Sequence, residues 1–216
     1  MNLLGLDTST PACSVALAVG DTITEQHRES DQRHSREILA MIDALLGEAE
    51  LMPRDLDAIA FGRGPGSFTG VRLGVSVAQG LGVALDLPLV PVSSLAAVAQ
   101  GALRIGNDDI VSVAQDARMG EAYAGRYQRD GAVAVPLDAE RVCAPGAVDL
   151  QPGDVLAGDG WQRIAELAER AGGRTALARW PHAGDLLALA RPLLRAGATV
   201  RAEDATASYL RDSVVR

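Results

Sequence analysis

A small residue recurs at every fourth position from 66 to 82: Gly66, Gly70, Gly74, Ala78 and Gly82. At 3.6 residues per turn these positions drift slowly around one side of a helix. An interior glycine costs a helix about 1 kcal/mol relative to alanine. A helix carrying several must recover that cost through close approach of another backbone. The stripe follows an apolar run, Leu56 to Phe61, and opens as the glycine loop Gly62-Arg63-Gly64-Pro65-Gly66-Ser67. Two kinds of neighbour suit it, an anion at the loop or a protein along the stripe. A Walker-type phosphate loop requires a lysine after its last glycine, but Val71 and Arg72 follow Gly70 here. Backbone amides near Ser67 still suit an anion, whereas tight turning and close packing explain the same glycines without a ligand. The stripe fits the protein's own sheet or a helix of a second chain. Phe68 beside it reads as exposed and keeps the two alternatives even.

Composition narrows the function classes. With 216 residues the chain has room for one large domain or two small ones. Hydrophobic residues make up 48% but aromatics only 3%, so the core is built from Leu, Val and Ala. A net charge of −8 argues against gripping nucleic acid unaided, because that affinity comes largely from Lys and Arg on phosphates. Cys13 and Cys143 are far apart in sequence and lack a zinc or disulfide spacing. The N-terminus has no basic segment followed by a long apolar one, so no signal peptide is expected. The apolar runs read as too short for a bilayer. A soluble cytoplasmic protein without a membrane partner is the expectation.

In chain order, Leu3 to Leu6 is an apolar strand ending at Asp7. Residues 13–19 alternate as a second strand, Gly20-Asp21 marks a hairpin, and 22–28 form a third, more polar strand. Ser30 or Asp31 is a candidate cap for a helix over 33–48 whose apolar face is Ile38, Leu39, Ile42, Leu45 and Leu46. A strand over 56–61, the glycine helix, a strand over 89–92 and a helix from Ser93 or Ser94 to Leu103 complete a β-β-β-α-β-α-β-α series. That order describes a ribonuclease-H-like unit. After a polar break at 105–109 the pattern restarts. A strand ends at Asp116, residues 121–129 alternate, Asp130-Gly131 marks a second hairpin, and 132–136 return. A strand at 155–157 and helices over 161–171 and 182–196 follow. Two similar halves, 1–105 and 106–216, suggest a duplicated α/β fold with a cleft between them.

Asp7, Thr8 and Ser9 stand at a strand end, where actin-like ATPases hold phosphate and metal-bound water. A local turn that caps the strand explains the same residues and ranks ahead. Asp116 with Arg118, Glu121 and Tyr123 suits either a cleft or a local ion pair. His27, His34 and His182 read as isolated, and no His/Cys/Asp set has metal-ligand spacing. No Ser/His/Asp constellation can be assembled, which leaves a peptidase reading without support.

Several motifs carry a resemblance. They are Leu6-Asp7-Thr8-Ser9, His34-Ser35, Gly64-Pro65-Gly66-Ser67-Phe68-Thr69-Gly70-Val71-Arg72 with Gly74, and Ala78-Gln79-Gly80-Leu81. Val92-Ser93-Ser94-Leu95, Asp116-Ala117-Arg118 with Gly120-Glu121, and Tyr209-Leu210-Arg211 complete the set. Over essentially its whole length the chain resembles the TsaB (YeaZ) family. The resemblance implies the actin-like ATPase (acetate kinase/Hsp70/actin) fold. It also implies work in making N6-threonylcarbamoyladenosine at position 37 of tRNAs that read codons beginning with A. In that family's setting TsaD is the catalytic subunit, TsaB its non-catalytic paralogue and partner, and TsaE an associated ATPase. TsaD carries a metal-binding His-x3-His run, and the matching positions here hold Ser94 and Val98. The resemblance therefore implies a pseudo-enzyme subunit with no cofactor and no metal, touching tRNA only through the complex.

On this basis the expected partner surface comprises His34, Ile38, Ser67, Phe68, Gly70, Val71, Arg72, Gly74, Val75 and Ala78. It would serve a heterodimer with TsaD, and a homodimer when TsaD is absent. Gly74→Leu is then expected to abolish partner binding and spare the fold. The alternative is a stand-alone ATP-dependent small-molecule kinase of the same fold, using Asp7, Thr8, Ser9 and Asp116.

Overall fold

The computed structural model describes residues 1–29 and 34–211. The proposed caps Ser30 and Asp31 lie outside the described residues. The first compact unit comprises Met1–Ser94 and Pro181–Ala207. Its strands are β1 (Asn2–Asp7), β2 (Ala12–Val19), β3 (Thr22–Glu29), β4 (Ala58–Gly62) and β5 (Leu89–Val92). They form one sheet in the order β3-β2-β1-β4-β5. β1, β2 and β3 are antiparallel neighbours, and β4 and β5 add parallel to β1. The two faces of this sheet differ because strand side chains alternate. Leu4, Leu6, Val15, Leu17, Ile59 and Phe61 face one core. That core is closed by Ile38, Met41, Ile42 and Leu45 of α1 (His34–Glu48) and by Val71, Val75 and Ala78 of α2 (Phe68–Leu85). The opposite face is surfaced by small residues, and α6 (Ala183–Arg195) packs there on β1 and β2. Gly5 permits that approach, since a Cβ on it would lie 2.8 Å from Leu187 Cγ and 3.0 Å from the Ala183 carbonyl oxygen.

The second unit comprises Leu95–Trp180 and the described residues from Ser208 onward. It holds most of α3 (Ser94–Ile105), then β6 (Ile110–Asp116), β7 (Ala122–Asp130), β8 (Val133–Pro136), β9 (Arg141–Cys143) and β10 (Val155–Ala157). α4 (Gly160–Arg163) and α5 (Ala165–Ala171) follow. The sheet order is β10-β6-β7-β8, and β9 pairs with the opening residues of β7. β6, β7 and β8 are antiparallel neighbours, and β10 adds parallel to β6. Its core gathers Ala114, Ala122, Ala124, Leu156, Trp161 and Leu167, with Trp161 Nε1 donating to the Ser112 carbonyl at 3.2 Å. Asp154 is buried, and Arg126 holds it through two bonds of 2.8 and 2.9 Å.

Both sheets repeat the ribonuclease-H-like arrangement, and the chain has the α/β actin-like ATPase fold. Two details differ from the sequence expectation. The predicted helix over 161–171 breaks at Ile164, whose extended backbone (φ −101°, ψ 116°) separates α4 from α5. The expected boundary at 105/106 also differs from the compact units. α3 is tied to the second unit, where Gln100 Nε2 donates to the Ala132 carbonyl and Gln100 Oε1 accepts from the Ala134 amide. The leucine face of α6 requires cover that the first sheet provides, so residues 181–207 return to the first unit.

α2 spans 18 residues with a mean hydropathy of 1.3, long and apolar enough to cross a membrane by length and composition only. This corrects the expectation that every apolar run is too short. About a third of the helix, the face Gly70, Val71, Gly74, Val75, Ala78 and Gly82, is buried in its own unit.

Candidate functional site

In the first unit, the end of β1 and the start of α2 form one tightly bonded knot. Asp7 is buried. Its Oδ1 accepts from the Ser9 amide at 2.8 Å and the Ser9 hydroxyl at 2.7 Å. Its Oδ2 accepts from the Ser94 hydroxyl at 2.7 Å. Burial raises the Asp7 carboxyl above its ordinary value of 3.8, outweighing the hydrogen bonds from Ser9 and Ser94 that act to lower it. Thr8 donates its hydroxyl to the Gly70 carbonyl at 2.7 Å. The Ser67 amide donates to the Ser9 carbonyl at 2.7 Å, and Ser67 caps α2 by accepting from the Gly70 amide.

The glycine stripe faces this knot. A Cβ on Gly66 would lie 2.3 Å from the Ser9 carbonyl oxygen. One on Gly70 would lie 2.0 Å from the Thr8 carbonyl oxygen, and one on Gly74 would lie 2.8 Å from Thr8 Oγ1. At Gly82 the neighbours are Leu89 and Ala202. The backbone that approaches the stripe is therefore the chain's own β1 turn. The amides of Ser67 and Gly70, expected to suit an anion, already have internal acceptors.

These contacts correct the expected partner surface. Ile38, Gly70, Val71, Gly74, Val75 and Ala78 are buried in the first unit's own core. His34 is buried too, with Nε2 bonded to the Thr10 carbonyl at 2.9 Å. Gly74→Leu is accordingly a folding mutation, because its side chain would enter space held by Thr8 and Leu6. Ser67, Phe68 and Arg72 remain outward. Phe68 is 52% exposed, and the Arg72 guanidinium lies 3.5 Å over its ring. On the same outward side of α2 stand Ser76, Gly80 and Val83, and Val83 is 71% exposed. α1 turns outward Leu39, Ala40, Asp43 and Ala44. Spacing missed these residues, although the complement of the buried periodicity would have found them.

In the second unit, Asp116 Oδ1 accepts from the Arg118 amide at 2.8 Å, and the Asp116 amide donates to Asp159 Oδ1 at 3.0 Å. Arg163 Nη1 reaches Asp159 Oδ2 at 3.3 Å. Burial raises the Asp159 carboxyl, with the Asp116 amide and Arg163 opposing. Asp116 thus belongs to a local ion-pair turn. Glu121 pairs with Arg211, which also donates to the Ala117 carbonyl.

His27 and His182 read as isolated in the sequence, but the fold brings them together with Glu25. Glu25, His27 and His182 present ligand-type atoms within 4.8 Å of one another. The two imidazoles stack at 3.9 Å. Burial, together with His182, holds His27 below the ordinary histidine value. At Glu25, burial acts upward but the bonds from His182 and Ser14 prevail, leaving the carboxyl below its ordinary value. Cys13 is buried, which pushes its thiol up to about 12 and leaves no thiolate nucleophile there.

Comparisons with known proteins agree with this architecture. A family model described as TsaD, tRNA N6-adenosine threonylcarbamoyltransferase, matches residues 19–211. The Escherichia coli (strain K12) tRNA threonylcarbamoyladenosine biosynthesis protein TsaB is 39% identical over 99% of this chain and 96% of its own. Its Haemophilus influenzae namesake is 37% identical over 99% and 95%. Among solved structures, YeaZ from Pseudomonas aeruginosa superposes with a TM-score of 0.88 at 40% identity, covering 97% of this chain and 99% of that one. The chain belongs to the TsaB (YeaZ) family, within the wider group that the TsaD family model describes.

Proposed function

We propose that this chain is a non-catalytic subunit of the assembly that makes threonylcarbamoyladenosine in tRNA. In this reading it binds a TsaD-type catalytic subunit through the outward faces of α1 and α2, and TsaE joins them. The same face supports self-association when the catalytic partner is absent, and tRNA is reached only through the complex. The assembly acts in the cytoplasm. The relatives' role in tRNA threonylcarbamoyladenosine biosynthesis supports the pathway.

The observation that carries the interface is the exposed set Leu39, Phe68 and Val83 set among the small outward residues Ala40, Ala44, Ser76 and Gly80. Large apolar side chains at half exposure or more, on two helices of one unit, are the kind of surface that proteins cover with partners. Small residues between them allow a second helix to approach closely. Two further observations support a non-catalytic role. Ser94 and Val98 occupy the positions where the family resemblance places TsaD's histidines, and Ser94 is engaged with Asp7. Asp7 itself is enclosed by bonds from its own chain.

Reconstitution tests this function. TsaD, TsaE, tRNA and threonylcarbamoyl-adenylate are combined with and without this chain, and the modified nucleoside is measured. Modification that depends on the chain supports the proposal. Equal modification in its absence refutes it.

A further inference from the structure

We infer that Glu25, His27 and His182 form a binding site for a divalent transition metal of the zinc type, clasping the edge strand β3 to the start of α6. Glu25 and His27 are two apart on β3 and so project from the same face of the strand. His182 immediately precedes α6. The contact joins residues 157 apart in sequence. Two imidazoles and one carboxylate are a common ligand set for Zn²⁺, with a fourth position left to water or a further ligand.

Part of the site is already at chelating distance. Glu25 Oε1 lies 3.2 Å from His182 Nδ1. Two ligand atoms each about 2.0–2.1 Å from a tetrahedral ion stand about 3.3 Å apart, as Zn–N and Zn–O distances require. The second Glu25 oxygen reaches His182 Nδ1 at 3.3 Å. Glu25 is fixed by the Ser14 hydroxyl at 2.6 Å, and Ser14 in turn accepts from the Ala183 amide at 2.9 Å. Such outer bonds orient a ligating carboxylate. His27 Nδ1 is buried with no hydrogen-bond partner among the described residues. A buried imidazole nitrogen without a partner is uncommon and calls for an explanation.

His27 must move to complete the site. The rings lie 11° from parallel at 3.9 Å, and imidazole lone pairs lie in the ring plane. Two stacked rings therefore share no point on both lone-pair axes. The site requires His27, whose ligand nitrogen lies within 4.8 Å of those of Glu25 and His182, to tip about its side-chain torsions toward the edge that they define. His182 is about one-third exposed and Glu25 about one-quarter, so an ion enters from solvent.

The test is calorimetric titration of the tag-free full-length chain with Zn²⁺ alone, beside His27→Ala, His182→Ala and Glu25→Gln. His27→Ala is the decisive variant, because among the described residues the His27 ring loses only its stacking on His182, and it lies on an edge strand. The inference predicts one zinc per chain and at least tenfold weaker binding in His27→Ala and His182→Ala. It also predicts a zinc-dependent rise in Tm for the wild type that His27→Ala lacks. Co²⁺ substitution should give the visible absorption of a four-coordinate nitrogen and oxygen site. No binding by the wild type at about 0.1 mM free zinc overturns the inference, as does binding by His27→Ala equal to the wild type.

Discussion

Gly70→Ala and Gly80→Ala form a matched pair that separates an inward-facing glycine from an outward-facing one on the same helix. At Gly70 the new Cβ would lie 2.0 Å from the Thr8 carbonyl oxygen and 2.5 Å from Ser67 Oγ. Ordinary carbon contacts begin near 3.5 Å, so a buried backbone segment must shift by more than an ångström. Overpacking of this kind costs about 1–3 kcal/mol and sometimes more. Because backbone rather than a flexible side chain is in the way, the upper end applies. Alanine returns up to about 1 kcal/mol through helix propensity, leaving a net loss of about 2 kcal/mol. At Gly80 nothing lies within 4 Å of the new Cβ, so only the propensity gain of about 0.5–1 kcal/mol remains. For a chain of this size each kcal/mol moves Tm by about 2–4 °C. Gly70→Ala should therefore melt about 4–8 °C below the wild type and Gly80→Ala about 1–4 °C above it. Thermal unfolding followed by circular dichroism measures both. A Gly70→Ala protein that melts with or above Gly80→Ala would refute the inward reading of the stripe.

Asp7→Asn tests the buried carboxyl. Because the folded-state pKa of Asp7 is raised, the stability it contributes is complete below its ordinary value of 3.8 and is lost as pH rises through the raised value. The variant should gain on the wild type in urea midpoint between pH 3 and pH 7, and a gap independent of pH would contradict this. Arg126→Met removes the partner of buried Asp154. It should cost about 3 kcal/mol in urea unfolding, the low end for a broken buried pair because Arg126 retains some exposure. A loss below about 1 kcal/mol would show that water already compensates Asp154. Calorimetry with ATP and magnesium should show no turnover by the isolated chain, and hydrolysis or phosphoryl transfer would favour a kinase.

Much of the fold was legible because local signals and burial agree. Gly20-Asp21 and Asp130-Gly131 are turns at the ends of paired alternating strands, and both sit at hairpins between neighbouring strands. The four-residue spacing of small side chains correctly implied a closely approached helix. What spacing does not encode is the identity of the neighbour. Thr8 and Ser9 are some 60 positions from the glycines they touch, so inside and outside looked alike. The outward residues of α1 and α2 were hidden by the same ambiguity. α6 reads as a generic amphipathic helix, and nothing local says that its leucines return to the first sheet. The Glu25–His182 contact was invisible for the same reason, although Glu-x-His on one strand face was a local hint.

The glycine stripe packs on the chain's own β1 turn, which leaves the outward faces of α1 and α2 as the proposed partner surface. The direct measurement is the affinity of a purified TsaD-type subunit for the wild type and for Phe68→Ala combined with Val83→Glu. Both positions are exposed, so Tm should stay within about 2 °C of the wild type. Loss of anchors at an interface centre commonly costs 2 kcal/mol or more, which predicts binding weakened at least thirtyfold. Unchanged affinity in a folded double variant would contradict the account.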